Sequence, residues 1–293
     1  MRLFVTGGSG FLGSFVVREA LGRGHQVLGL ARSDTAAATL ARLGAEPIAG
    51  DLDDLRSVDD AFGFAGAQGA EALLNLASLG FGHAPAVVAA AEAAGLGRAV
   101  FVSTTAVATA LPAPSKRVRL DAEEVIRESA LDWTIVRPTM IYGAPGDRNI
   151  ARLLALLRRS PVLPVPGGGN RLQQPVHVED LADALLAAAS SPKAIGRVYD
   201  VAGPEPLTFR QLLLEAAQAV GRRPRLVPVP LRPSLWAVSG YERAVQRPRL
   251  KTEQVRRLAE DKSFDITAAV EDLDHRPRSF QVGVTEEARE LWS

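Results

Sequence analysis

The chain has 293 residues, 47% of them apolar, which suits one large α/β domain or one domain with a smaller appendage. Thirty-four basic residues against 33 acidic ones leave a formal charge of +1, so bulk electrostatics gives no reason to expect nucleic acid or an anionic membrane as a partner. The absence of cysteine excludes disulfides, thiolate metal sites and cysteine nucleophiles, and His25, His83, His177 and His275 lack metal-ligand spacing, so no metal is expected.

Basic clusters at Arg222-Arg223-Pro224-Arg225 and Arg256-Arg257 have acidic residues nearby and read as solvated surface. No apolar stretch approaches the roughly 20 residues that span a bilayer. The glycines from Gly7 onward come too early for the apolar region of a signal peptide. The expectation is a soluble, cytoplasmic protein, monomeric or homodimeric.

In chain order, short apolar runs at 3–6, 26–30, 47–48, 72–76, 99–103 and 134–136 predict strands. Ala-rich segments of helical period at 11–22, 35–43, 84–94 and 120–129 predict helices between them. Such alternation implies a doubly wound parallel sheet with helices on both faces. After Arg137-Pro138 the texture changes, with Pro161, Pro164, Pro166 and Gly167-Gly168-Gly169. A helix is predicted from Val178, with Glu179 and Asp180 suiting the positive end of its dipole. A strand at 198–201 and helices at 209–220 and 252–259 follow. The expected division is a dinucleotide-binding domain over 1–140 and a smaller substrate lobe over 141–293, with some segments returning to the main sheet.

The strongest local signal is Thr6-Gly7-Gly8-Ser9-Gly10-Phe11-Leu12-Gly13, which joins the first strand to the first helix. One glycine permits the tight turn, another lets backbone approach a pyrophosphate, and Gly13 brings the helix close to the strand. The helix N-terminus offers free N–H groups to the phosphates. Gly7, Gly8, Ser9, Gly10, Phe11, Leu12 and Gly13 are therefore expected to hold a dinucleotide.

An NAD site usually ends its second strand with an acidic residue on the ribose hydroxyls. Here the strand continues Ala31-Arg32-Ser33-Asp34, and its first charge is a cation. Arg32 can pair with a 2′-phosphate and stack on adenine, with Ser33 adding a hydroxyl, which favours NADP over the alternative NAD. Arg32 can equally be a solvated residue, with Asp34 capping the next helix. In Gly50-Asp51-Leu52, Asp51 can accept from the adenine amino group while Leu52 packs on the ring, and Asp51 can also serve as an N-cap for the segment starting at Asp53.

These pieces, with Asn75-Leu76-Ala77-Ser78, Phe101-Val102-Ser103-Thr104-Thr105, Thr134-Ile135-Val136-Arg137-Pro138-Thr139-Met140-Ile141-Tyr142-Gly143, Pro175-Val176-His177-Val178-Glu179-Asp180 and Arg276-Pro277-Arg278-Ser279-Phe280, resemble the extended and atypical short-chain dehydrogenase/reductases. That group includes nucleotide-sugar epimerases and dehydratases, and the likeness is greatest to atypical members related to the complex I accessory subunit. The resemblance covers nearly the whole chain. It implies that Asn75, Leu76, Ala77, Ser103 and Pro138 line the cofactor, that Thr104 or Thr105 supplies the hydroxyl facing the substrate oxygen, and that residues beyond Met140 build the substrate pocket.

The family's Tyr-x-x-x-Lys pair would fall in Ser115-Lys116-Arg117-Val118-Arg119. Natural alignment puts Ser115 at the tyrosine and Arg119 at the lysine. Serine is too weakly acidic to replace a phenol, and arginine is a poor proton relay. Lys116 can reach the nicotinamide ribose if the local loop shifts; of the tyrosines Tyr142, Tyr199 and Tyr241, Tyr142 follows the Arg-Pro turn and can approach the pocket, although structural packing suits it better. His177 beside Glu179 and Asp180 can act as an acid or base, although a structural role suits it better. Arg148, Asn149 and Arg171 are candidate substrate contacts. The reading is an NAD(P)-dependent oxidoreductase or epimerase-like enzyme on a small carbonyl or hydroxyl compound. The alternative is a non-catalytic dinucleotide-binding redox sensor or scaffold.

Overall fold

The computed structural model describes residues 1–109, 114–147, 149–246, 252–258 and 260–292. Its N-terminal part runs β1 (Arg2–Thr6), α1 (Phe11–Gly22), β2 (Gln26–Ala31), α2 (Asp34–Leu43), β3 (Glu46–Ala49), α3 (Leu55–Ala67), β4 (Ala72–Asn75), α4 (Ala84–Ala93), β5 (Arg98–Val102), α5 (Pro114–Glu128) and β6 (Asp132–Pro138). There follow β7 (Ile141–Tyr142), α6 (Ile150–Arg159), β8 (Val162–Pro166), β9 (Leu172–Gln173), β10 (Val176–His177), α7 (Val178–Ser190) and β11 (Arg197–Val201). The chain continues with β12 (Leu207–Thr208), α8 (Phe209–Ala219), β13 (Arg225–Val229), α9 (Leu231–Ala244), α10 (Thr252–Arg257), α11 (Thr267–Leu273) and α12 (Phe280–Trp292).

The chain folds into two compact units. The first contains Met1–Thr139, Val178–Val201 and Asp265–Arg276. Its seven-stranded sheet has the order β11-β6-β5-β4-β1-β2-β3, with every pairing parallel. Parallel strands need crossovers, and the amphipathic helices supply them. Side chains from α3, α4 and α5 form a core on one face, where Phe4 and Phe62 meet edge to face at 4.9 Å. Helices α1, α2 and α7 run together on the other face. Strand order reverses between β4 and β1, and in such sheets ligands bind outside the carboxyl ends of the strands at this switch.

The second unit contains Met140–His177, Ala202–Phe264 and Pro277–Ser293. It holds three two-stranded sheets, β7–β10 and β8–β13 parallel and β9–β12 antiparallel. Its core gathers Tyr142, Leu154, Leu157, Val165, Leu212, Leu213, Phe280 and Val284.

The sequence pattern did not reveal α3, α6, α9, α12 or the β8–β13 pair. Prolines mask the pair: Pro164, Pro166 and Pro228 lie within these strands, and a two-stranded sheet consists only of edges, where proline costs no ladder bond on its solvent side. Helix α5 begins six residues earlier than its apolar period suggests, which puts Ser115 and Arg119 on the same helix, one turn apart.

Candidate functional site

The loop after β1 is built by its glycines. Gly7 has φ +69°, a left-handed conformation that costs glycine nothing, and Gly10 closes the turn by donating to the Gly7 carbonyl at 3.0 Å. A Cβ on Gly13 would sit 2.1 Å from the Gly7 oxygen and 2.6 Å from the Gly8 Cα, so helix α1 can approach the turn only with glycine there. Gly10 is the N-cap of α1 and makes no side-chain cap, which leaves the first-turn amides of Phe11 and Leu12 to an external acceptor. Ser9, Phe11 and Leu12 are half-buried at this rim. The loop meets what a pyrophosphate requires.

Beside it, the carboxyl ends of β2 and β3 enclose an open hollow of about 390 Å³, lined by Arg32, Ser33, Asp34, Gly50, Asp51 and Ser57 among others. Arg32 is exposed here. Ser33 caps α2, accepting from Ala36 N–H at 3.3 Å, so that helix also starts at the hollow. Asp51 is not a helix cap: its carboxylate accepts from Asp53 N–H at 3.1 Å, and Asp54 caps α3 through Arg56 N–H. Ser57, which sequence reasoning missed, accepts from the Asp51 backbone N–H at 2.9 Å and fixes the loop. Leu52 packs on the core of the first unit.

After β4, buried Asn75 accepts from the Thr6 hydroxyl at 2.6 Å and donates to the Ala77 carbonyl at 3.3 Å. Its side chain thus ties the β1 and β4 loops together, while Leu76 and Ala77 stay half-buried at the strand ends.

The catalytic candidates separate by what their hydroxyls already do. Thr105 is buried and donates to the Pro138 carbonyl at 3.2 Å, so its proton is committed and it is not free to polarise a substrate. Thr104 accepts from Ala106 N–H at 3.2 Å and keeps its own proton. Ser115 accepts from the Arg119 guanidinium at 2.6 Å and likewise keeps its proton, and that guanidinium lies against Gly80. Lys116 donates to the Thr109 carbonyl at 2.5 Å and so is held by the adjoining loop.

Ser103, expected at the cofactor, points into the protein and donates to Glu123 Oε1 at 2.6 Å. Glu123 is fully buried and also receives hydrogen bonds from Arg137 and, at 2.7 Å, from Arg127. Burial alone would push its carboxyl up; the hydrogen bonds from Arg137, Ser103 and Arg127, with the Arg137 charge, outweigh that and hold it below the ordinary carboxylate range. This hub welds α5 to β5 and β6, and fixes the helix that carries Ser115 and Arg119. The i, i+4 spacing of Glu123 and Arg127 was the available sequence signal.

Tyr142 is fully buried in the second unit, edge-on to His177 at 5.3 Å and tilted against Phe280 at 5.1 Å. Tyr142 and Phe280 belong to the apolar core of this unit, with His177 buried beside them, so the Tyr142 phenol is enclosed rather than facing an open site. Arg171 pairs with Asp261 at 2.7 Å, Asn149 heads α6, and Arg148 lies outside the described residues.

A family model described as NAD(P)H-binding matches residues 7–192. Ceramide reductase of Caulobacter vibrioides is 35% identical over 241 residues, covering 77% of this chain and 73% of that protein. The chain is an atypical short-chain dehydrogenase/reductase. The 2-alkyl-3-oxoalkanoate reductase of Stenotrophomonas maltophilia is 32% identical over 257 residues, 75% of this chain and 76% of that one. The solved structure of UDP-glucuronic acid 4-epimerase from Bacillus cereus, in complex with UDP-glucuronic acid and NAD, superposes with a TM-score of 0.75 over 99% of both chains at 16% identity, a likeness of fold. In this short-chain dehydrogenase/reductase the glycine loop, the hollow and the start of α5 lie at the carboxyl edge of the sheet, the edge at which open parallel sheets bind their ligands.

Proposed function

We propose that the protein is an NADPH-dependent ketone reductase acting on an alkyl-bearing carbonyl compound. The observation that carries this reading is the Ser115 hydroxyl at the start of α5, which takes a hydrogen bond from Arg119 and retains its own proton for a substrate oxygen. Relatives named for reduction of a ceramide and of a 2-alkyl-3-oxoalkanoate support the reaction class and an alkyl-bearing substrate.

NADPH, when bound, supplies the hydride. The chain's own residues do the rest. The amides at the head of α1 and the glycine turn bind the pyrophosphate, and Arg32 at the hollow receives the 2′-phosphate. Ser115 donates its proton in a hydrogen bond to the ketone oxygen. Arg119 raises the donor strength of that hydroxyl and stabilises negative charge developing on the oxygen, the electrostatic task a Tyr/Lys pair performs elsewhere in the family. Thr104 is positioned by its turn to offer a second hydroxyl. Since arginine does not release a proton near neutrality, water delivers the proton that completes the alcohol.

The test is NADPH oxidation with 2-alkyl-3-oxo acids and ceramide-like ketones, alongside titration of cofactor fluorescence. The expectation is turnover, with NADPH preferred over NADH. Arg32→Ala should erase roughly 10- to 100-fold of that preference, the worth of a charge-assisted hydrogen bond to phosphate. Tight NADPH binding with no oxidation across the panel would favour the redox-sensor reading, and equal affinity for NADH would remove Arg32 from its role.

A further inference from the structure

Residues 222–257 hold ten arginines and lysines against two glutamates, a net charge of +8 in a chain whose total is +1. The remaining residues are therefore acidic overall, and the chain's positive excess comes from this one stretch of sequence, in which Arg222, Arg223, Arg225, Arg232, Arg243, Arg256 and Arg257 are among the described residues. Charge segregated in this way gives a local field that the balanced total conceals.

Helix α9 lies in the middle of this stretch and has no buried residue. Leu231, Leu235 and Val238 are half-buried at helical spacing and give α9 its inner side. On another side, Arg232, Trp236 and Arg243 are separated by four and seven residues and so share one face. Trp236 is 83% exposed, the most exposed large apolar side chain among the described residues. Arg222, Arg223, Arg225, Arg232 and Arg243 are exposed, and so are Val227, Tyr241 and Val245. An exposed indole that shares a helix face with two exposed arginines matches the chemistry of a bilayer interface: such a ring sits at the headgroup level while arginine stems lie along apolar surface and their heads reach lipid phosphates.

We propose that this surface, centred on Trp236, docks the protein peripherally on an anionic lipid bilayer. The apolar side chains beside the arginines favour a lipid surface over a nucleic acid, whose backbone would use only the cations. Among the described residues no helix is long and apolar enough to cross a membrane, so the attachment is to the surface. The proposal does not depend on the reductase reading.

The experiment is co-sedimentation of the full chain with vesicles of mixed phosphatidylglycerol and phosphatidylcholine, compared with phosphatidylcholine alone. Binding is expected only to the mixed vesicles, weakening as salt screens the arginines. Arg232→Ser with Arg243→Ser should weaken it about 25-fold, since each cation near an anionic surface contributes roughly fivefold. Trp236→Phe should abolish most of the quenching of protein fluorescence by brominated lipid, leaving Trp133 and Trp292 unquenched. Because these side chains are exposed, the variants should fold, which circular dichroism checks. No sedimentation with anionic vesicles, sedimentation unchanged in the arginine variant, quenching retained in Trp236→Phe, or binding to single-stranded RNA without binding to vesicles would each overturn the proposal.

Discussion

The Arg119 guanidinium donates a 2.6 Å hydrogen bond to the Ser115 hydroxyl across one turn of α5. The two residues stand at the four-residue spacing of the family's tyrosine and lysine, and the hydrogen bond couples them into one electrostatic group. Ser115→Ala should lower kcat/KM for ketone reduction about 100-fold, with little change in NADPH affinity, as for loss of an oxyanion donor. Arg119→Met should do the same. Steady-state kinetics with separate cofactor titration checks both. An unchanged kcat/KM in both variants would leave the pair without a catalytic role.

Gly13→Ala should damage both the nucleotide site and the packing of α1. The added methyl meets backbone at 2.1 and 2.6 Å, where no flexible side chain can yield, so α1 must move away from the turn. NADPH affinity should fall at least about tenfold, because the amides at the helix head leave the position of the phosphate. Cofactor titration of the folded variant measures this.

Glu123→Gln should destabilise the first unit by about 3 kcal/mol, because it removes the charge that compensates Arg137 while leaving the guanidinium half-buried. Replacing Arg137 as well, with Gln, should recover part of the loss, and a denaturation double-mutant cycle reads it. Glu123 is held below its ordinary value in the folded protein, so the stability it contributes is present above the unfolded value near 4.5 and is lost as acid protonates it. The Gln variant should be correspondingly less sensitive to acid.

Glu287 gives the opposite pH dependence in the second unit. It is fully buried and its pKa is pushed up to about 8, first by burial and then by the negative charge of Asp147. Asp147 stands at the head of α6, where its carboxylate accepts from Ile150 N–H at 2.6 Å and Ala151 N–H at 3.0 Å. With the folded value above the unfolded 4.5, the native state binds the extra proton, so stability should fall as pH rises between the two, by at most about 1.4 kcal/mol per pH unit. Glu287→Gln should raise Tm at about pH 9 and change it little at about pH 5. A Tm difference that does not depend on pH would refute this assignment.

The sequence by itself determined the doubly wound sheet and its nucleotide loop. Both rest on local rules: apolar runs alternate with segments of helical period, and Gly7, Gly10 and Gly13 are spaced for a turn that any solvent-side neighbour leaves unchanged. It also supplied the expectation that Ser115 and Arg119 stand where the family carries its tyrosine and lysine, which rests on counting along the chain. What only tertiary structure decided was which polar groups remain available. Ser103, Thr105 and Tyr142 looked like site residues, yet Ser103 is turned to Glu123, Thr105 donates to Pro138, and Tyr142 packs among His177 and Phe280. Hydroxyl direction and burial come from residues distant in sequence, and no spacing rule encodes them. The exposure of Trp236 is of the same kind: the arginines around it can be counted in the sequence, but the position of a tryptophan in a core or in water is set by which helices pack against it.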